Sequence, residues 1–327
     1  MINFLKHEDQ YTRLNDETLR KHASITNGTY SIGSGLNYDD ITDFESAIGA
    51  QMDGNLTGEH ANEETVISSI ITFDTDTNSY LLKLTAESGA EHDGSAYGNG
   101  ARINYSTSSR IQFVETNDGD LDDIEISKLA LDVSGNGNEG VYFRDGGNSG
   151  NTLVNRLLIK CDGGCYRGIS IYYAWKNAII QNCIVYGLTR VSTTYGGIVT
   201  ETRAACSHLL YNNTSVKNYQ NYVQSRATDE GTKIWKNNLA QGNTGGSDYA
   251  GLYFGTTAKN ISEDATSPDA AYRSKDLHTN SVFVDYANDN YKIDKDGDST
   301  NLAIVDDGED LSGTFTDDIN HDSGRRP

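Results

Sequence analysis

Between residues 167 and 203 the chain interleaves cations with aromatic rings: Arg167, Lys176, Arg190 and Arg203 fall among Tyr172, Tyr173, Trp175 and Tyr195. Aromatic faces stack on sugar rings, and cationic side chains pair with acidic sugars. Tyr172, Tyr173, Trp175, Lys176, Tyr195 and Arg203 therefore form a candidate glycan-binding face. The competing reading is a set of loop aromatics and exposed ion pairs with no ligand. A glycosidase needs two carboxylates about 5–10 Å apart. Asp145, Asp162 and Glu201 follow successive strand-like runs and are the candidates, although 47 acidic residues make chance proximity the default. Asp294-Lys-Asp-Gly-Asp298 resembles a calcium loop, but its glycine stands fourth instead of sixth and no glutamate stands twelfth, so it reads as a polar turn. The seven histidines form no H-x3-H pair. No catalytic residue, metal or cofactor is assigned.

These residues are carried by a repeat. Ile124-Glu-Ile-Ser-Lys-Leu-Ala-Leu131 returns as Leu153–Ile159, Ala178–Val185, Leu209–Val216 and Lys233–Ala240. Anchored on Lys128, Arg156, Asn182, Asn213 and Asn238, the steps are 28, 26, 31 and 25 residues. A second track, Gly140-Val-Tyr-Phe143, Gly168-Ile-Ser-Ile171, Gly197-Ile-Val-Thr200 and Gly251-Leu-Tyr-Phe254, keeps the same period, with Tyr222-Val223 filling the skipped turn. A period in this range signals stacked structural repeats. Short β-branched and aromatic runs separated by Gly, Asn, Asp and Ser read as strands and turns, and no helical spacing fits them. The expectation is an all-β solenoid, a right-handed parallel β-helix. Asn182, Asn213 and Asn238 should then stack as a structural amide ladder at a turn.

Composition agrees. The chain has 33 Gly, 2 Pro and 20 Tyr, and a hydrophobic fraction of 36%, which suits a thin core with wide polar faces. A net charge of −21 argues against nucleic acid as a partner and serves solubility. It also makes a polyanionic glycan a harder ligand unless a local basic patch intervenes. No apolar stretch approaches the length of a membrane span. The first ten residues carry too many charges for a secretory signal. Cys161 and Cys165 flank Asp-Gly-Gly and are candidates to pair, while Cys183 and Cys206 lie in later repeats; free thiols in a reducing cell are the favoured reading.

Residues 1–30 are charged and read as a polar arm. Residues 31–260 read as the β-helix, and residues 261–327 as an irregular C-terminal coil and tail. Ile41, Phe44 and Ile48 lie at helical spacing, with Asp39 or Asp40 as N-cap and Gly49 beyond the end, so a capping helix is expected within 38–49.

The segment Ser31-Ile-Gly-Ser-Gly-Leu-Asn-Tyr-Asp-Asp-Ile41 followed by an amphipathic helix, together with the tail Val282–Ile293, resembles right-handed parallel β-helix proteins of the pectate-lyase-like superfamily. Its flavour resembles phage-encoded and environmental members. That resemblance implies a non-enzymatic virion surface protein: a capsid-decorating protein, head fibre or small spike, with glycans as a further ligand. Its partners would be virion structural proteins reached through the arm, a host-surface glycan, and two more copies in a homotrimer. Its location would be the virion, or the extracellular medium if a signal was removed. The alternative is a depolymerising polysaccharide lyase or glycoside hydrolase. The proline-containing motif and acidic calcium cluster of pectate lyases cannot be located in the sequence, so no catalytic residue carries over.

Overall fold

The computed structural model describes residues 24–95, 97–106, 109–114, 121, 123–135, 137–144, 151–162, 164–172, 177–201, 206–224, 231–251, 255–274, 283–293 and 311. The chain winds as a parallel β-helix. Three parallel sheets share each coil: one of nine strands from Gly28–Ile32 to Thr256–Ala258, one of eight from Glu64–Ile67 to Ile261–Ser262, and one of seven from Ile70–Phe73 to Tyr249–Ala250. A typical coil is Asn151–Asn155, Leu158–Asp162 and Arg167–Ile171, one strand per sheet. In Leu56–His60 alternate residues are buried, as a strand with one face on the core requires.

The turn between the nine- and eight-stranded sheets is built from two stacked columns. Lys128, Arg156, Asn182, Asn212 and Asn237 all take the left-handed conformation, with φ of 63°, 55°, 56°, 52° and 55°. Each of their backbone N–H groups donates to a carbonyl of the following coil. The residue after each belongs to the second column, Leu129, Leu157, Cys183, Asn213 and Asn238, which Asn260, after the left-handed Lys259, continues. Of the expected ladder of Asn182, Asn213 and Asn238, the last two are members, whereas Asn182 occupies the left-handed column. The true ladder is Asn213, Asn238 and Asn260, all fully buried. Asn213 Nδ2 donates to Asn238 Oδ1 at 3.0 Å, and Asn238 Nδ2 donates to Asn260 Oδ1 at 2.9 Å. Asn260 Nδ2 then donates to Asp269 Oδ2 at 2.8 Å, so a carboxylate ends the series.

Inside the seven-stranded sheet Phe73, Phe113 and Phe143 stack with centroids 5.0 and 4.9 Å apart, and Tyr222 stacks on Tyr249 at 4.9 Å. The glycine column here has a steric cause: a Cβ on Gly168 would lie 2.3 Å from Val185 Cγ1 and 2.7 Å from Gly197 O. Gly251 does not continue that column. Tyr222 pairs with Tyr249, which puts Asn221 and Asp248 in the glycine positions of the last two coils.

Asp248 is buried. Its Oδ1 accepts from Asn221 Nδ2 at 2.6 Å, and its Oδ2 accepts from the backbone N–H of Glu263 and Asp264. Burial first, and the Asp264 charge second, push its carboxyl up to about 6.

A helix covers the first coils, and a hairpin covers one outer face of the solenoid. Asp40 caps a helix at Ile41–Ala47 through the Asp43 N–H. Ile41, Phe44 and Ala47 are its buried face, and Gly58 leaves the space in which the Phe44 ring sits. Near the other end Phe283–Asp285 and Asn290–Ile293 form an antiparallel hairpin. It covers the outer face of the eight-stranded sheet around Tyr186 and Val216. Lys217 Nζ latches it, 2.9 Å from both Asp289 Oδ1 and Tyr286 O. No described helix is long and apolar enough to cross a membrane.

Asn238→Ala removes the acceptor of the Asn213 backbone N–H and of one of its side-chain N–H groups, and the donor to the Leu210 carbonyl, and should cost about 3 kcal/mol or more in chemical denaturation. A cost near zero would show that the ladder contributes nothing. Asp248 gives a pH test. Below about pH 4 its carboxyl is protonated in both folded and unfolded chains; between about 4 and 6 the unfolded chain ionises first, so stability falls as pH rises. The stability of the native protein relative to Asp248→Asn should therefore be about 2 kcal/mol greater at pH 4 than at pH 7. A difference that does not change with pH contradicts this.

Candidate functional site

One edge of the seven-stranded sheet and the corner leading into it carry a cluster of arginines laid on tyrosines. Glu139, at the start of Glu139–Arg144, is the in-register partner of Arg167, at the start of Arg167–Ile171 in the next coil. Arg167 Nη1 donates to Glu139 Oε1, and Arg110 Nη1 donates to Glu139 Oε2 at 3.1 Å. The Glu139–Arg167 pair is buried, and Arg110 is partly exposed. Arg167 is further fixed by Tyr172 Oη at 3.2 Å and Thr194 O at 3.3 Å. Its guanidinium lies between the Tyr172 and Tyr195 rings, 4.8 and 5.3 Å from their centroids.

The pattern repeats on either side. Arg110 lies 5.0 Å over Tyr142, and Arg190 lies 4.1 Å over Tyr166 and 5.6 Å from Tyr195. The rings form two short rows: Tyr142–Tyr172 at 5.9 Å and Tyr166–Tyr195 at 4.6 Å. Burial first and Glu139 second push the Tyr142 hydroxyl up to about 12, so it stays a neutral donor. Arg190 Nη1 donates to Gly164 O at 3.2 Å, and no acid is paired with it among the described residues. Two guanidinium groups thus share the single carboxylate of Glu139 and Arg190 lies beside them, so among the described residues of this cluster positive charge is in excess, on a chain of net charge −21.

Of the face expected from sequence, Tyr172 and Tyr195 are here, both half-buried. Tyr173, Trp175, Lys176 and Arg203 lie outside the described residues, as do Asp145 and the Asp294–Asp298 turn. Of the suggested carboxylates, the two among the described residues fall on different sheets. Asp162 ends a strand of the eight-stranded sheet and is exposed beside Lys160, whereas Glu201 follows a strand of the seven-stranded sheet and is buried. The two belong to different sheets because the repeat holds three strands per coil, not two. Among the described residues no group of three or more His, Cys, Asp or Glu is placed to hold a metal. Arg110, Glu139, Tyr142 and Tyr166 were not picked out from sequence. The signal was present: Glu139 and Arg167, and Tyr166 and Tyr195, each stand one repeat apart.

No protein-family model matches the chain, and no curated protein matches it. Among solved structures it is similar to the pectin methylesterase from Aspergillus niger in deglycosylated form, at 13% identity and a TM-score of 0.39, over 77% of this chain and 90% of that one. A second structure of that enzyme, in penultimately deglycosylated form, gives 12% identity and a TM-score of 0.38 over the same shares. The likeness is one of fold. It says nothing of activity in this chain, and nothing in it supports a phage origin, a virion location or a trimer. The arm expected to dock the virion lies largely in residues 1–23, outside the described residues.

Removing Glu139 should expose how the cluster is held. Glu139→Ala leaves the Arg167 charge buried and unpaired, and should destabilise the fold by about 3–5 kcal/mol. Adding Arg167→Met should recover part of that loss, because the double variant buries no lone charge. Strictly additive costs in denaturant unfolding would mean that the pair is not coupled.

Proposed function

We propose that this protein binds an acidic polysaccharide on the arginine–tyrosine face, without turnover. The observation that carries the reading is the stacking of Arg110, Arg167 and Arg190 on tyrosine rings, with one carboxylate, Glu139, shared by the first two. Stacked guanidinium groups are pre-positioned and keep edge N–H groups for carboxylate or sulfate oxygens. The half-buried rings of Tyr166, Tyr172 and Tyr195 offer apolar surface to pyranose faces. Coils stack about 4.8 Å apart, close to the length of one sugar residue, so a linear glycan lying along the solenoid axis meets one coil per sugar.

The same geometry disfavours catalysis. Glu139 is engaged by two arginines, so it is no free acid or base. Arg167, the most central cation, has its guanidinium bonded to Glu139, Tyr172 and Thr194, so it is a poor base for a lyase.

Titration calorimetry with polygalacturonate, alginate and heparin, and with neutral dextran as the control, tests the proposal. At least one acidic polymer should bind and dextran should not. Arg190→Ala and Tyr195→Ala should each weaken binding about tenfold, which is about 1.4 kcal/mol. Lys83→Ala, on the nine-stranded sheet, should leave binding unchanged. Binding that is absent, or indifferent to both site variants, overturns the reading. New reducing ends or unsaturated-uronate absorbance would replace it with the enzyme reading.

A further inference from the structure

The three arginines of the face are not equivalent. A guanidinium offers an anion two edges, Nε with Nη2 at its side and Nη1 with Nη2 at its end, and each edge can hold two oxygens at once. Arg167 has all three nitrogens engaged: Nε donates to Thr194 O, Nη1 to Glu139 Oε1 and Nη2 to Tyr172 Oη. Arg110 gives Nε to Gln112 Oε1 at 2.7 Å and Nη1 to Glu139 Oε2 at 3.1 Å, so each of its edges has one nitrogen taken. Arg190 differs. Its Nη1 donates to Gly164 O at 3.2 Å, and among the described residues Nε and Nη2 meet no acceptor. Its side edge is complete.

That edge is held in one orientation. The Gly164 carbonyl fixes Nη1, and the guanidinium lies 4.1 Å over the Tyr166 ring and 5.6 Å from Tyr195. Tyr166 and Tyr195 stand just before two in-register strands, Arg167–Ile171 and Gly196–Thr200, and pack on each other at 4.6 Å. Two coils therefore build the shelf on which Arg190 rests. Arg190 is half-buried and the next residue, Val191, is exposed, so the corner is open to solvent.

We infer that Arg190 reads the acid group of the ligand through a side-on, two-point contact, and that this contact selects a sugar carboxylate over a sulfate ester. The inference rests on the acidic-polysaccharide reading and adds to it the acid and the residue that recognises it. A carboxylate has both oxygens in one plane, so it fills the Nε and Nη2 donors while lying level with the guanidinium. A sulfate ester making the same two bonds keeps two further oxygens, one on each side of that plane. One of them turns toward the side on which Tyr166 lies, and the face of an aromatic ring is its negative side. Arg167 is a positioning residue here: its guanidinium lies between Tyr172 and Tyr195, and so helps to seat one of the rings beneath Arg190.

Equilibrium binding of polygalacturonate, alginate and dextran sulfate at one ionic strength tests the inference. The native protein should bind the better of the two carboxylate polymers at least about fivefold tighter than dextran sulfate, despite the denser charge of the latter. Arg190→Lys keeps the charge but loses the fork; it should weaken the better carboxylate polymer about tenfold and change dextran sulfate by less than about twofold. Binding of dextran sulfate as tightly as the carboxylate polymers, or more tightly, overturns the inference. So does an Arg190→Lys variant, melting as the native protein does, that keeps the native affinities. Either result leaves the acidic-polysaccharide reading standing. Should the variant fail to fold, the polymer preference of the native protein decides alone. Absence of binding to all three polymers overturns that reading and this inference with it.

Discussion

In a parallel β-helix every residue sits about 4.8 Å from its counterpart in the coil above and in the coil below. A side chain must therefore suit its own column before it suits anything else. Flat rings satisfy this by stacking, as Phe73, Phe113 and Phe143 do. Amides satisfy it by acting as donor and acceptor at once, as Asn213, Asn238 and Asn260 do. Like charges cannot share a column cheaply, and the ion pairs follow: Lys83 is in register with Glu125, Asp132 with Lys160, and Glu139 with Arg167.

The arginine–tyrosine face is a consequence of the same constraint. Arg167 is buried, and a buried guanidinium needs a partner close at hand. The in-register Glu139 supplies the charge, and the rings of Tyr172 and Tyr195 supply the walls. The scaffold and the arginine–tyrosine face therefore cannot be separated at this point. The pair that ties two coils together also holds the central cation in place.

The coil architecture was legible in the sequence because stacking forces similar residues to recur at similar intervals, and the helix at Ile41–Ala47 was legible because its cap and apolar spacing are local. Register was harder to read. Loops of unequal length separate the strands, so a one-residue slip at Asn213 and Asn238 left the spacing plausible while exchanging the left-handed column for the ladder. Gly251 misled for the same reason, since Asn221 and Asp248 fill the glycine column in the last coils. The strand Leu56–His60 escaped notice because Gly58, needed for Phe44 to seat, breaks its apolar alternation. At the face, Tyr172 and Tyr195 were found from local clustering. Glu139, Arg110 and Tyr142 were not, because they are neighbours through the stack and distant in the chain.

The amide ladder also has a direction. Each Nδ2 from Asn213 onward sends one N–H toward the C-terminal end, and the series arrives at Asp269, whose carboxylate accepts the last of these bonds. An asparagine in that seat would offer its own N–H to whatever came next, whether another coil or the open end of a second molecule. The carboxylate offers only lone pairs and a negative charge, which repels an acidic partner. The length of the solenoid is thus punctuated chemically, by a single residue type that can receive the chain of donors but cannot forward it.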